Sequence, residues 1–196
     1  MINQEKIVEF FDRLARQWDA DMIRNDEVIN KILDNANVTE GKSVLDVACG
    51  TGVLIPDYLE RKVSSVTAID ISREMVKIAS SKYDRDNIKF ICGDVMEEEF
   101  AVQYDCIILY NAFPHFPEPE KLVGKLSSFL KPEGTLTIAH GMSKHDIDCI
   151  HENGASEVSL KLMESEELAE IMNRYLEVKT VISDDKMYQV VGMRSN

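Results

Sequence analysis

Val44-Leu45-Asp46-Val47-Ala48-Cys49-Gly50-Thr51-Gly52 begins as a buried strand and ends as a glycine turn. Four apolar residues, Val44, Leu45, Val47 and Ala48, surround one carboxylate, Asp46. An apolar run bounded by glycine reads as a parallel strand covered on both faces. Gly50 and Gly52 let the backbone turn tightly and lie close against a ligand. Val53 to Arg61 has helical character, so the turn delivers the chain into a helix N-terminus. Strand, glycine turn and helix in this order build a nucleotide-type site at the carboxyl edge of a parallel sheet.

The spacing separates two kinds of such site. A dinucleotide fingerprint needs a small residue at the third position of G-x-G-x-x-G/A. Ile55 stands there, which disfavours a nicotinamide-dependent oxidoreductase. Present instead is an acid four residues before the first glycine, Asp46-x-x-x-Gly50-x-Gly52. This closely resembles the first motif of class I S-adenosylmethionine-dependent methyltransferases. The resemblance implies that Ala48, Gly50 and Gly52 approach the methionine part of the cofactor and that Asp46 holds its amino group.

The flanking chain extends the pattern. Ser65 to Ile69 reads as a second strand ending at Asp70, 18 residues beyond Gly52. An acid there accepts bonds from the two ribose hydroxyls in nucleoside sites. Ser72 suits a helix N-cap, with Met75, Ile78 and Ala79 on one face of the helix that follows. Ile71 and Met75 are expected near the adenine or ribose. Ile88 to Cys92 reads as a third strand stopping at Gly93-Asp94-Val95. By resemblance, Asp94 bonds the adenine amino group and the amide of Val95 reaches a ring nitrogen. Tyr104 to Tyr110 is a central fourth strand that opens into Asn111-Ala112-Phe113-Pro114-His115-Phe116-Pro117. Ligands gather at strand carboxyl ends, so Tyr110 and Asn111 are expected beside the cofactor and His115 where the methyl acceptor sits. The loop lacks the Asn/Asp-Pro-Pro-Tyr/Phe signature of amino-methylating nucleic-acid enzymes.

Before the first strand, Ile7, Phe10, Phe11, Leu14 and Trp18 recur at helical spacing, and Val28, Ile29, Ile32 and Leu33 form a second helical face opened by Asn25. The run from Phe10 to Asp19 resembles the opening of small-molecule methyltransferases, in which an aromatic segment covers the cofactor. This points to Phe11 and Trp18 as contacts, with core packing the alternative. After the fourth strand come a helix through Leu122, Leu126, Phe129 and Leu130 and a turn at Lys131-Pro132-Glu133-Gly134. The turn matches the family's leucine-lysine-proline-glycine-glycine segment, with Glu133 replacing the first glycine. Thr135 to Ala139 is a fifth strand, Ser165 caps a late helix carrying Leu168, Ile171, Met172 and Tyr175, and Leu176 to Ile182 pairs with Tyr188 to Met193 as an antiparallel hairpin.

The fold class is therefore α/β. The resemblance implies a Rossmann-like class I methyltransferase with a seven-stranded, mostly parallel sheet, a terminal antiparallel hairpin and helices on both faces. Residues 1–196 are expected to form one domain, with residues 1–40 a helical lid and residues 41–196 the core.

All four histidines lie late in the chain: His115, His140, His145 and His151. The fourth and fifth strands both end at the expected pocket, so these residues are candidates to converge. With Asp146, Asp148 or Glu152 they could hold zinc or another divalent metal. Alternatively His115, His140 or His145 acts as general base or acceptor contact, since imidazole titrates near neutral pH. A structural role is the third reading.

Thirty-five acids against 22 bases give a net charge of −13, which argues against nucleic-acid and anionic-membrane partners. No apolar run approaches membrane-spanning length and no secretory signal is visible, so the expected address is the cytoplasm. Cys49, Cys92, Cys106 and Cys149 contain no C-x-x-C pair and are expected reduced and mostly buried. The expected function is methyl transfer from S-adenosylmethionine to a small-molecule acceptor. A non-catalytic S-adenosylmethionine-binding regulatory module is the main alternative. The acceptor atom and the oligomeric state are left open.

Overall fold

The computed structural model describes residues 3–196. Helices α1 (Gln4–Asp21) and α2 (Asp26–Asn35) precede an alternating series: β1 (Ser43–Val47), α3 (Ile55–Glu60), β2 (Ser65–Asp70), α4 (Arg73–Lys82), β3 (Ile88–Cys92), β4 (Tyr104–Tyr110), α5 (Pro119–Ser128) and β5 (Leu130–His140). Helices α6 (Lys144–Gly154) and α7 (Ser165–Met172) lead into the hairpin of β6 (Glu177–Ser183) and β7 (Tyr188–Met193). One seven-stranded sheet results, in the order β3-β2-β1-β4-β5-β7-β6. β7 runs antiparallel to both neighbours, β5 and β6, and the remaining pairings are parallel.

The strand sequences explain the two covered faces. Val44, Cys106 and Ile108 point into one core with Ile29 and Leu33 of α2 and Ile55 and Tyr58 of α3. Leu45, Val47, Ile107 and Leu109 point into the other with Leu122 and Leu126 of α5 and Leu168 and Met172 of α7. Each such fully buried aliphatic side chain contributes about 1.5–3 kcal/mol relative to exposure. β1 is flanked by β2 on one side and β4 on the other, so the connections leave in opposite directions. Their carboxyl ends bound a crevice at this switch point, where open α/β sheets bind ligands.

Local boundaries depart from the sequence reading in four places. The helix after the glycine turn is shorter than Val53 to Arg61. Gly52 N–H bonds the Cys49 carbonyl and Ile55 N–H bonds the Gly52 carbonyl, so residues 50–54 are spent on turns and α3 starts at Ile55. The cap of α7 is Glu164 rather than Ser165, which is the first helical residue, and Tyr175 lies beyond the helix end. β5 begins at Leu130, because the turn at residues 131–134 is absorbed as an irregularity opposite Tyr104 and Cys106. Only two cysteines, Cys49 and Cys106, are buried, while Cys92 and Cys149 are exposed, and none of them forms a disulfide among the described residues. Among the described residues, no helix is long and apolar enough to cross a membrane.

The Glu133-Gly134 pair shows which glycine of such a turn is dispensable. Glu133 is exposed and takes the left-handed conformation, φ +61°. Gly134 is buried, and a Cβ there would stand 2.9, 3.0 and 3.1 Å from the carbonyl oxygens of Lys131, Tyr104 and Asp105. Backbone carbonyls in a sheet cannot move aside cheaply. We expect Glu133→Gly to raise stability by about 0.5 kcal/mol, as relief of the left-handed penalty outweighs the added chain entropy. Gly134→Ala should lower it by ~2 kcal/mol or more through overpacking. Urea midpoints of the two variants check the contrast.

Candidate functional site

The turn after β1 is built from left-handed backbone. Ala48, Gly50 and Gly52 have φ of +55°, +54° and +82°. Glycine takes this conformation freely, and alanine at a cost of about 1–2 kcal/mol. The turn is held from β2. Asp70 accepts the Gly50 N–H on one carboxylate oxygen and the Ser72 N–H on the other, both at 2.8 Å. Cys49 N–H reaches the Ile69 carbonyl at 3.1 Å. Ser72 caps α4 by accepting from Met75 N–H.

A cavity of about 580 Å³ opens above this junction. Phe11, Trp18, Asp46, Ala48, Gly50, Asp70, Ile71, Met75, Asp94, Val95, Tyr110 and Asn111 all line it, so the structure brings together twelve of the thirteen residues expected around a cofactor. Gly52 does not line it. A Cβ at Gly52 would lie 2.9 Å from the Tyr83 ring and 3.2 Å from Ile55, so this glycine faces α4 and α3 and its role is packing within the turn. Of the histidines, only His115 lines the cavity.

Helix α1 forms the cavity's cover. Phe11 packs edge-on against both Trp18 and His115, at ring-centroid distances of 5.6 and 5.0 Å. Two acids one heptad apart fasten the helix to the sheet edge. Asp12 accepts from Ser72 Oγ and Glu74 N–H at the start of α4. Asp19 accepts from Lys82 Nζ at 2.8 Å and from the Thr51 hydroxyl. At the N-terminus, Gln4 Nε2 donates to Asp94 at 2.6 Å. Behind the cover, Arg24 makes a bidentate pair with the buried Asp57 and donates to the Val53 carbonyl. These fasteners were not read from the sequence. The seven-residue spacing shared by Asp12/Asp19 and Phe11/Trp18, which puts all four on adjacent helix faces, was the available signal.

The electrostatics of the floor are unusual. Asp46 is 2% exposed, and its Oδ2 has no hydrogen-bond partner. Burial first, then the nearby Asp70 and Asp57 charges, push its carboxyl up to about 8. Asp70 is also pushed up by burial, opposed by its two backbone N–H bonds. An orphaned carboxyl beside two further carboxylates is a site for a cation. At the end of β4, Asn111 has φ +56°, and its side chain accepts from Gly141 N–H at 2.9 Å. Left-handed backbone at a non-glycine residue beside a cavity is a recurrent mark of functional sites.

His115, His140 and His151 lie near one another, but of the histidines only His115 reaches the cavity. His140 is fully buried on the α7 side of the sheet, beside Tyr188 and away from the cavity wall, and neither ring nitrogen has a partner. His145 is exposed on α6. His151 sits behind His115, with ring centroids 5.3 Å apart. Among the described residues, no group of three or more His, Cys, Asp or Glu side chains is placed to hold a metal ion. The physical reason is topological. β5 turns its final side chain into the α7 core, and the helical period of α6 sends His145 and His151 to different surfaces. Nor does α6 line the cavity.

The residues present fit S-adenosylmethionine. The unpartnered Asp46 suits its ammonium group, and the side-chain-free Gly50 leaves a cradle, since a Cβ there would meet only Trp18 Nε1 at 3.8 Å. Known proteins point the same way. A family model described as a methyltransferase domain matches residues 44–134. The malonyl-[acyl-carrier protein] O-methyltransferase of Acetivibrio thermocellus is 33% identical over 143 residues, covering 71% of this chain and 50% of that protein. This chain thus spans about half the length of that curated relative. A chain of the complex formed by the Haloferax volcanii Trm112 methyltransferase activator superposes with a TM-score of 0.82 at 20% identity, covering 97% of this chain and 98% of that one. The N-methyltransferase NodS from Bradyrhizobium japonicum, in complex with S-adenosyl-L-homocysteine, gives 0.73 at 13% identity over 99% and 100%.

Two outcomes are expected. The Asp46 carboxyl is neutral below about 8 and must ionise to hold an ammonium group. Binding of S-adenosylhomocysteine should therefore release protons and tighten as pH rises from 6 to 8, up to about tenfold per unit, and Asp46→Asn should flatten the dependence. Calorimetry in buffers of different ionisation enthalpy measures the proton release. Asp70→Ala should weaken binding and also lower stability by about 2–4 kcal/mol, because two buried N–H groups lose a charged acceptor. Asp70→Asn, which keeps one acceptor oxygen, should recover roughly half of that stability in urea melts.

Proposed function

The chain belongs to the class I S-adenosylmethionine-dependent methyltransferase family, and we propose that it transfers a methyl group from S-adenosylmethionine to a small-molecule acceptor, releasing S-adenosylhomocysteine. The observation that carries the reading is the buried, unpartnered Asp46 carboxyl at the glycine turn, in a cavity also lined by Asp70 and Asp94. When bound, S-adenosylmethionine supplies a methyl group already activated by its sulfonium.

The chain's own residues then have mainly to bind, orient and exclude water. Asp46 holds the ammonium and Gly50 lets the methionine part lie against the backbone. Asp70, its oxygens already oriented by two N–H donors, uses its remaining lone pairs for the ribose hydroxyls. Asp94 receives the adenine amino group in place of Gln4, with the Val95 amide beside it and Ile71 and Met75 against the ring. Ala48, Tyr110 and Asn111 border the reacting methyl, and Phe11 and Trp18 close over it. His115 is the side chain best placed to meet the acceptor. Residues 1–196 act as one unit in this reading, residues 1–40 as cover and residues 41–196 as core. The excess of acid supports a small-molecule acceptor over a nucleic acid. Cys49, Cys92 and Cys106, as free thiols, support a reducing compartment such as the cytoplasm.

Calorimetry with S-adenosylhomocysteine and, separately, with NADH tests the cofactor. Detection of S-adenosylhomocysteine across an acceptor panel tests turnover and would distinguish an enzyme from a binding module. We expect Gly50→Val to lower affinity for S-adenosylhomocysteine at least about a hundredfold, because a branched side chain at φ +54° is strained and fills the cradle. Cys49→Ala should stay within about fivefold, since a buried thiol there contributes packing only. A Gly50→Val protein with near-normal affinity would displace the cofactor from this turn.

A further inference from the structure

The acceptor side of the cavity differs from its cofactor side. His115 shares the cavity lining with the apolar residues Ile7, Phe11, Phe116, Pro117 and Leu122, and Phe11 packs directly on it. Glu118 and Lys121 of the lining pair with each other, and Asp94 and Glu97 are its other carboxylates besides Asp46 and Asp70. Such a surface suits an apolar, uncharged body. His115 is the one imidazole on it, and its tautomer is fixed. Nδ1 lies 2.8 Å from the Val158 carbonyl oxygen, which can only accept, so Nδ1 carries the hydrogen. The nitrogen left for a ligand is Nε2, with a free lone pair.

The ring is held on three sides. Phe11 of α1 meets it edge-on. The segment after α6 supplies the Val158 carbonyl and is itself locked to the loop, since Leu160 N–H donates to the Pro114 carbonyl at 2.8 Å. His151 of α6 forms the third side. Its ring bonds the Leu160 carbonyl, and its Nδ1 is buried with no partner. Two neutral imidazoles thus hang from carbonyls of one segment, two residues apart. His140 of β5 lies beyond them, fully buried, and Asp46 and Asp70 are the carboxylates on the cavity floor.

Building on the methyltransferase reading, we propose that the acceptor is an uncharged hydroxyl or thiol compound with an apolar body, that His115 Nε2 takes its hydrogen, and that His151 is a positioning residue for that imidazole. The balance is simple. The acceptor's oxygen or sulfur forms a bond to the methyl carbon, the carbon–sulfonium bond breaks with its electron pair going to sulfur, and the O–H or S–H proton ends on Nε2 before passing to solvent. An amine free base attacks through its own lone pair and needs no such base, while a protonated amine would bring a cation to an apolar wall. A carboxylated acceptor would bring an anion toward a floor of carboxylates.

The experiment uses the full chain with S-adenosylmethionine and five probes: 4-methylphenol, (4-methylphenyl)methanethiol, their 4-carboxy counterparts, and benzylamine. Formation of S-adenosylhomocysteine is measured for each. The two uncharged probes should exceed the other three in kcat/KM by at least about tenfold. His115→Phe and His115→Asn, the second keeping a donor for Val158, should lower kcat about a hundredfold with KM and S-adenosylhomocysteine affinity within about threefold. His151→Phe should lower kcat about tenfold, whereas His151→Gln, which keeps a donor for Leu160, should restore it. A merely structural His151 would not give that rescue together with an unchanged KM. Nitrogen-15 spectra should show His115 as the Nδ1–H tautomer. Preference for benzylamine or the carboxylated probes, no turnover of any probe by a protein that binds S-adenosylhomocysteine, or retained turnover in both His115 variants overturns the proposal. Failure to bind S-adenosylhomocysteine would instead overturn the methyltransferase reading beneath it.

Discussion

One carboxylate closes the junction on which the rest of the site depends. Asp70 ends β2, and its two oxygens take the N–H groups of Gly50 and Ser72. The first bond fixes the turn leaving β1; the second fixes the entry to α4. Because β1 and β2 pair in parallel register from Ser43/Ser65 to Val47/Ile69, the sheet delivers Asp70 beside the turn without further adjustment. The left-handed backbone at Ala48 and Gly50 is then supported by a charge-assisted bond rather than by the turn's own preferences. The same acid that would grip a ribose is also a structural clamp, so binding and folding at this point share one group.

That clamp has an electrostatic consequence. Asp46, Asp57 and Asp70 lie within reach of one another, and Asp57 is the one neutralised, by Arg24. Asp46 has no such partner, so its carboxyl stays protonated near neutrality, and the floor keeps a latent negative charge for a cationic ligand to draw out. The arrangement lowers stability as pH rises. A carboxyl that ionises near 4 when unfolded and near 8 when folded leaves the folded state at a growing disadvantage between those values. A cation bound there removes the penalty. Selection for ligand binding rather than for stability accounts for an acid flanked by the apolar Val44, Leu45 and Val47 inside this strand.

The sheet and the cavity floor were legible in the sequence because each is encoded locally. An apolar run around one acid, a glycine pair and a second acid at a strand end leave one-dimensional signatures, and all seven strands read from the sequence are present. What escaped was set by long-range geometry. Gly52 reads like Gly50, yet only its neighbour Tyr83, 31 residues on, decides that it packs against α4 instead of the cavity. The four histidines share a stretch of chain, but strand alternation sends His140 into the α7 core and leaves His115 at the cavity. Asp12 and Asp19 look like ordinary solvated acids on an amphipathic helix until α4 and the glycine turn are placed beneath them.

The cover and the proposed base are one mechanical problem. Phe11 touches both Trp18 and His115, so the ring that shields the floor also bears on the imidazole at the acceptor side. Movement of α1 away from the sheet would expose the cavity and at the same time remove one of the three supports of His115. Its fasteners are mostly polar and solvent-reachable, Asp12 on the α4 cap and Asp19 on Lys82, and exposed pairs of this kind are individually weak. The apolar packing of Phe11 therefore carries much of the closing force. A ligand that fills the cavity adds contact area to that same face of α1, and so strengthens the closed state in which His115 is aimed. If His115 is the base proposed above, water exclusion and base alignment are coupled through a single aromatic ring, without a separate moving part.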